Sequence, residues 1–149
     1  MPVIVVGADT PLGPSILAAL LSRNREIRAF VSDPAVAARL RESGVRVAVG
    51  DVSDASHVAG ASIGCFSAVL LTEAALDGRD HSFALGGDAV LTAWATALAE
   101  AAVTRAIWVG SAPPDLPATP EAAVVDIDNR SPTEIAASIA EIDDRRSLP

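Results

Sequence analysis

Two kinds of run alternate along the chain. Val3-Ile4-Val5-Val6 is a short β-branched run with no polar break, as expected of a strand buried on both faces. Gly7 ends it, and from Leu12 to Arg23 the apolar positions Ile16, Leu17, Leu20 and Leu21 recur at helical spacing. Pro14 falls in the first turn of that helix, where its missing N–H costs nothing. Glu26 to Val31 predicts a second strand. Ser32-Asp33-Pro34 then opens a second helix, with Val36, Ala37 and Leu40 on one face and Gly44 at its close. Val45 to Val49 alternates as a third strand, and Asp51 to Ala61 reads as a short, weakly helical link. Ser67 to Thr72 predicts strand four, His81 to Ala102 a long helix through Gly86-Gly87, and Arg105 to Val109 strand five. Pro113, Pro114, Pro117 and Pro120 predict a loop from Ser111 to Pro120. Ser131-Pro132-Thr133-Glu134 supplies a cap, a first-position proline and a third-position glutamate, and Ile135, Ile139 and Ile142 form the stripe of the last helix. The tail from Arg145 is expected to fray.

Strands alternate with helices as far as about Gly110. Parallel neighbours need a crossover, and right-handed crossovers cover both faces of the sheet. The expected fold is therefore α/β: a doubly wound parallel sheet of Rossmann type, order 3-2-1-4-5, in three α/β/α layers. A sixth strand at Val124 to Ile127 stays open, because the proline-rich connection before it is short for a helical crossover. One domain is expected over residues 1–149, with a core at 1–112 and a loop plus closing helix at 113–149.

Composition supports this layering. Half of the residues are apolar, yet only three are Phe, two are Trp and none is Tyr, so the interior must be built from Val, Ile, Leu and Ala. The formal charge is −8, and all eleven basic residues are Arg. That balance repels nucleic acid and anionic lipid, but not a single dinucleotide held by backbone N–H groups. The lone Cys65 lies beside Phe66 in an apolar stretch and reads as core. No run is long and apolar enough to span a bilayer, no secretory start is present, and the expected location is cytoplasmic.

The chemical signal is Gly7-Ala8-Asp9-Thr10-Pro11-Leu12-Gly13, directly after strand one and opening a helix. Gly7 permits a tight turn, Gly13 removes a Cβ where helix and sheet pack, and the helix start offers N–H groups to a pyrophosphate. Val5 to Gly13 resembles the Gly-Ala-Thr-Gly-x-x-Gly opening of the atypical short-chain dehydrogenase/reductases, the NmrA-like group. Ile27 to Pro34 is similar to that group's second strand, Gly44 to Val52 to its third with the Gly-Asp pair near the adenine, and Ala102 to Ser111 to its fifth. The resemblance implies NAD or NADP as cofactor. It places Gly7, Asp9, Thr10, Pro11, Leu12 and Gly13 at the phosphates, with Ser32, Asp33, Asp51 and Val52 along the rest of the dinucleotide. Thr72 and Glu73 end strand four at the same crevice, where Glu73 either orients a ribose or substrate or is a surface carboxylate.

Three departures qualify the resemblance. Thr10 stands where the family has its middle glycine, and either bonds the phosphate or crowds it. Ser32 stands where many members have an Arg for the 2′-phosphate of NADP. Asp33 beside it suits a ribose hydroxyl, which inclines the reading toward NAD, although Asp33 also fits a plain helix cap before Pro34. The family's Tyr-x-x-x-Lys pair is missing, since the chain has neither residue, and strand five runs almost directly into the final helix. Ser111 matches the family's serine after strand five, but without a base it is a catalytic candidate only.

The remaining candidates are weighed against ordinary surface or core roles. His57 reads as an exposed turn residue, His81 as a helix start or a neighbour of the nicotinamide site, and no metal site is expected. Asp143-Asp144-Arg145-Arg146 reads as a solvated cluster. Leu91, Trp94 and Leu98 either pack on the sheet or form a homodimer contact. Three functions follow: a dinucleotide-binding sensor or regulatory domain, an atypical NAD(P)H-dependent reductase of a quinone or flavin, and a degenerate Rossmann scaffold for protein contacts.

Overall fold

The computed structural model describes residues 2–112 and 119–149. Six strands, β1 (Val3–Val6), β2 (Ile27–Val31), β3 (Arg46–Val49), β4 (Ser67–Leu71), β5 (Arg105–Val109) and β6 (Glu121–Val125), form one parallel sheet. Its order is β3-β2-β1-β4-β5-β6, the doubly wound arrangement with a sixth strand added at the edge. The helices are α1 (Gly13–Leu21), α2 (Pro34–Glu42), α3 (Ala55–Ser62), α4 (Glu73–Leu76), α5 (Gly87–Glu100) and α6 (Pro132–Asp144).

Strand alternation divides the core into two layers. Val3, Val5, Ala29, Val31, Val69, Leu71, Ile107 and Val109 face α1, α2 and α6. Ile4, Val6, Phe30, Ala68, Leu70, Ala106 and Trp108 face α3, α4 and α5. The apolar stretches thus lose both faces to helices, which is why β1 and β4 read as unbroken hydrophobic runs. Asp33 caps α2 by accepting from Ala35 N–H, and Ser131 caps α6 by accepting from Glu134 N–H, as their sequence signatures predict.

Several expectations are corrected. The helix expected from His81 starts only at Gly87, and residues 77–86 form a loop after the single turn of α4. Gly86 precedes α5 with φ of +83°, and a Cβ on Gly87 would stand 2.3 Å from Leu76 Cδ2. The glycine pair is a boundary, not an interruption. The link after β3 contains a full helix, α3, capped by Asp54. The sixth strand exists, three residues earlier than expected at its start, and runs parallel to β5. The objection that its connection is too short fails on reach. A strand of this length spans roughly 17 Å, and about ten residues can cover roughly 33 Å. The proline-rich loop expected there falls largely on residues 113–118, outside the described residues.

Asp143 is not solvated. It is 7% exposed and pairs with Arg25, while Asp144 pairs with Arg23 and Arg25. Arg105, wholly buried in β5, donates to the carbonyls of Ile142 and Asp143 at 2.7 and 3.0 Å and to Glu121 at 3.0 Å. A cation at the carbonyl end of α6 satisfies acceptors that the helix leaves unpaired. Leu148 N–H also donates to Glu121, so part of the tail is held and does not simply fray.

Leu91, Trp94 and Leu98 all lie against the sheet, which removes the surface considered for a homodimer. The Trp94 indole also donates to the carbonyl of Val52 at 2.7 Å. Trp94→Ala should therefore destabilise the fold by about 3–5 kcal/mol in chemical denaturation. Leu85→Ala, at a side chain 96% exposed, should change it by less than about 0.5 kcal/mol.

Candidate functional site

The turn after β1 is built on two close approaches. Gly7 has φ of +85°, and a Cβ there would stand 2.7 Å from Ala74 Cβ. A Cβ on Gly13 would stand 1.9 Å from the Ala8 carbonyl oxygen. Both positions exclude a side chain. The turn closes through Thr10 N–H to Gly7 O at 3.1 Å and Gly13 N–H to Thr10 O at 3.0 Å. Pro14 brings no N–H, so two of the first amides of α1 are withheld from any anion. Pro11 is exposed and Leu12 is buried, packed into the core.

Thr10 is 4% exposed, and among the described residues its Oγ1 meets no hydrogen-bond partner. A buried hydroxyl without a partner costs about 1–3 kcal/mol. Sequence reasoning left open whether this side chain would bond a phosphate or crowd it. The hydroxyl is enclosed within the turn and lines neither of the hollows beside it, so an anion would meet it only if the side chain turned outward.

Two hollows lie at the carboxyl ends of the strands, where open α/β sheets place their ligands, and Asp9 of the turn lines the second. One, of about 320 Å³, is lined by Thr72, Glu73, Leu76, Gly110, Ser111 and Ile127. The other, of about 470 Å³, is lined by Asp9, Ser32, Asp33, Asp77, Gly78 and Arg79. Asp77 borders both.

In the first hollow, Thr72 is fully engaged. Its Oγ1 donates to Val109 O at 2.9 Å and accepts from Ser111 N–H at 3.3 Å, tying the ends of β4 and β5 together. Gly110 is needed beside it, since a Cβ there would meet Thr72 Oγ1 at 2.3 Å. Ser111 is exposed. Burial, helped by the neighbouring Asp77 charge, holds the Glu73 carboxyl above its ordinary value. His81 Nε2 lies 3.3 Å from Ala74 O, beside α4 and not in a metal cluster. No group of three metal-ligating side chains exists among the described residues.

In the second hollow, Asp9 is the centre. Its Oδ2 accepts from Ser32 N–H at 2.9 Å and Asp33 N–H at 3.2 Å, and its Oδ1 from Arg79 at 2.8 Å. Arg79 also donates to Ser32 Oγ at 3.3 Å and to Asp77 at 2.7–3.2 Å. Burial disfavours the charged guanidinium, but the bonds from Asp77 and Asp9 outweigh it and push the pKa of Arg79 up. Sequence reasoning missed Arg79 altogether, because nothing local marks a residue brought to β2 from a loop after α4. The exposed Asp33 carboxylate spends one oxygen on Ala35 N–H, so its cap role is real and does not consume the group.

Asp51 ties the same loop down from the other side. Its carboxylate accepts from Ser53 N–H and Oγ at 2.8 and 2.6 Å and from Ser82 N–H at 2.7 Å, and Ser53 Oγ accepts from Phe83 N–H at 3.1 Å. Burial opposes the charge, yet these bonds win and lower the Asp51 pKa. The tether is therefore complete above its ordinary value of 3.8 and is lost as pH falls through the depressed value. Val52 faces the core under α5, so its side chain supports the site from below and does not line it. His57, exposed on α3, packs edge-on against the Phe30 ring at 4.9 Å.

A parallel sheet with this order and a glycine-built turn after its first strand defines a dinucleotide-binding Rossmann domain. The sequence matches the NAD(P)H-binding family model over residues 7–115, and the chain belongs to that family. No curated protein matches the chain.

Among solved structures it is similar to ChuY, an anaerobillin reductase from Escherichia coli O157:H7 (20% identity, TM-score 0.69, 99% of this chain and 92% of that one). It is also similar to the triphenylmethane reductase of Citrobacter sp. complexed with NADP(H) (19%, 0.61, 94% and 45%). A third is an NADPH-dependent quinone oxidoreductase of Escherichia coli complexed with NADPH (21%, 0.60, 72% and 36%). The chain thus spans less than half of the last two but about nine-tenths of ChuY. Among the described residues no helix is long and apolar enough to cross a membrane.

Thr10→Val should leave the free protein as stable or up to about 1 kcal/mol more stable, because it removes an unpaired buried hydroxyl without changing shape. The same change should weaken NADH or NADPH binding about tenfold, read by quenching of tryptophan fluorescence, if that hydroxyl meets a phosphate.

Proposed function

We propose that this chain is an NAD(P)H-dependent reductase of a small planar acceptor of the quinone or flavin class. The turn from Gly7 to Gly13 would hold the pyrophosphate through the remaining amides of the helix start and the Thr10 hydroxyl once turned outward. Ser32, Asp33 and Asp51 would hold the adenosine, and Thr72, Glu73 and Ser111 would border the nicotinamide. NAD(P)H, when bound, supplies the hydride.

The observation that carries the reading is the first hollow. It presents Ser111 and Glu73, a carboxyl whose protonated form is favoured by burial and by the neighbouring Asp77, with Asp126 and Asp128 on the far wall. Reduction of a quinone to a hydroquinone needs one hydride and one proton. Glu73 provides the proton and recovers it from solvent, and the Ser111 hydroxyl holds the acceptor oxygen. Thr72 fixes the strand ends and takes no chemical part. A planar, electron-poor acceptor accepts hydride readily, so the missing Tyr and Lys are less of an obstacle than they would be for an alcohol or ketone.

The reductases among the similar structures support this reading over a sensor. A sensor or regulatory domain remains the second reading, favoured by the same absence of Tyr and Lys. Asp33 at the end of β2 favours NAD over NADP, through acceptance of a ribose hydroxyl.

NADH or NADPH should be oxidised on adding a benzoquinone or free flavin, and the rate should fall as pH rises through the elevated pKa of Glu73. Glu73→Gln should lower that rate roughly tenfold or more while dinucleotide affinity stays within about twofold. Saturable dinucleotide binding without turnover of either acceptor would favour the sensor instead.

A further inference from the structure

Asp9 occupies a set of donors that ordinarily suits a phosphate. Two consecutive backbone N–H groups, from Ser32 and Asp33, meet its Oδ2, and an arginine meets its Oδ1. The same Arg79 nitrogen reaches Ser32 Oγ. Adjacent amides, a guanidinium and a hydroxyl converging on one oxyanion are the parts of an anion seat. Both amides belong to the chain just after β2, where a dinucleotide presents the 2′-position of its adenosine ribose.

From this geometry we infer that Asp9 is a specificity-determining residue: its carboxylate fills the seat that a 2′-phosphate would need, so the chain selects NAD(H) against NADP(H). The inference rests on the dinucleotide reading above and deepens it. Asp9 is almost wholly buried, with its side chain 5% exposed, and Arg79 is 14% exposed, so the pair is built in and does not merely meet at the surface. The alternative occupant faces unfavourable charge. Asp9, Asp33 and Asp77 give three negative charges around the one positive charge of Arg79, a balance of −2 before any phosphate enters. Arg79 is already committed on both sides, to Asp9 and to Asp77. A ribose hydroxyl asks for none of these donors, and can itself donate to Asp33.

The preference runs opposite to the cofactor bound in two of the similar structures, and it comes from residues far apart in sequence. Asp9 belongs to the glycine turn and Arg79 to the loop after α4.

Binding of NADH and NADPH, followed by the fluorescence of the reduced nicotinamide, tests this without any turnover. The unaltered protein should bind NADH at least tenfold more tightly than NADPH. Asp9→Ala should vacate the seat and shift the ratio toward NADPH by at least tenfold. Adding Arg79→Ala to that variant should remove the gain. Asp9→Ser, which shortens the side chain and removes its charge, serves if the alanine variant does not fold, and should shift the ratio in the same direction. Equal or tighter binding of NADPH by the unaltered protein would overturn the inference while leaving the dinucleotide reading standing. An unchanged ratio in a folded Asp9 variant would do the same. No binding of either cofactor by any of these proteins would overturn the dinucleotide reading and this inference with it.

Discussion

The carbonyl of Ala8 passes so close to Gly13 that a single methyl group there would sit 1.9 Å from its oxygen. Gly7, six residues earlier, is equally confined by Ala74 on the first turn of α4. These two approaches bring β1, α1 and α4 to one point, and every element of the candidate site is placed relative to that point. If either glycine gained a side chain, the turn would have to swing away from the ends of β1 and β4. The carboxylate of Asp9, which lines the second hollow, would move with it.

The acidic character of the chain is handled locally. Asp9 and Asp51 each turn a carboxylate inward and satisfy it with N–H groups, one at the end of β2 and one at the end of β3. Both also reach the loop at residues 77–86, Asp9 through Arg79 and Asp51 through Ser82. That loop is therefore held over the ends of β2 and β3 by two carboxylates, although it has no regular structure of its own. The far end of the sheet uses the opposite sign. Arg105 carries a buried positive charge that gathers the carbonyls of α6 and the carboxylate of Glu121. The inward-turned carboxylates and the buried arginine thus sit at opposite ends of the sheet.

Most of the fold was legible because apolar periodicity and capping residues report local structure. The runs at Val3–Val6 and Arg105–Val109, and the caps at Asp33 and Ser131, fall as the patterns predict. What escaped depends on partners distant in sequence. Apolar residues from Ala84 onward look continuous with α5, and only the bonds of Ser82 and Phe83 to Asp51 and Ser53 show why that stretch does not join the helix. Asp143 has the sequence of a surface charge and becomes buried because Arg25 lies opposite. The two glycines were legible as a tight strand-to-helix turn from their spacing and place after a buried strand, and both are confined as that turn requires. Asp9 was placed at the phosphates and is found at the end of β2, a difference set by Arg79 and the two amides.

The claim most in need of a direct measurement is that the amides and hydroxyl between Gly7 and Gly13 receive a diphosphate. Amide resonances of isotopically labelled protein, followed during titration with NADH, would report it residue by residue. The account predicts saturable shifts concentrated at residues 7–13 and at the ends of β2, β4 and β5. Shifts confined to other surfaces, or a spectrum unmoved at saturating dinucleotide, would contradict it.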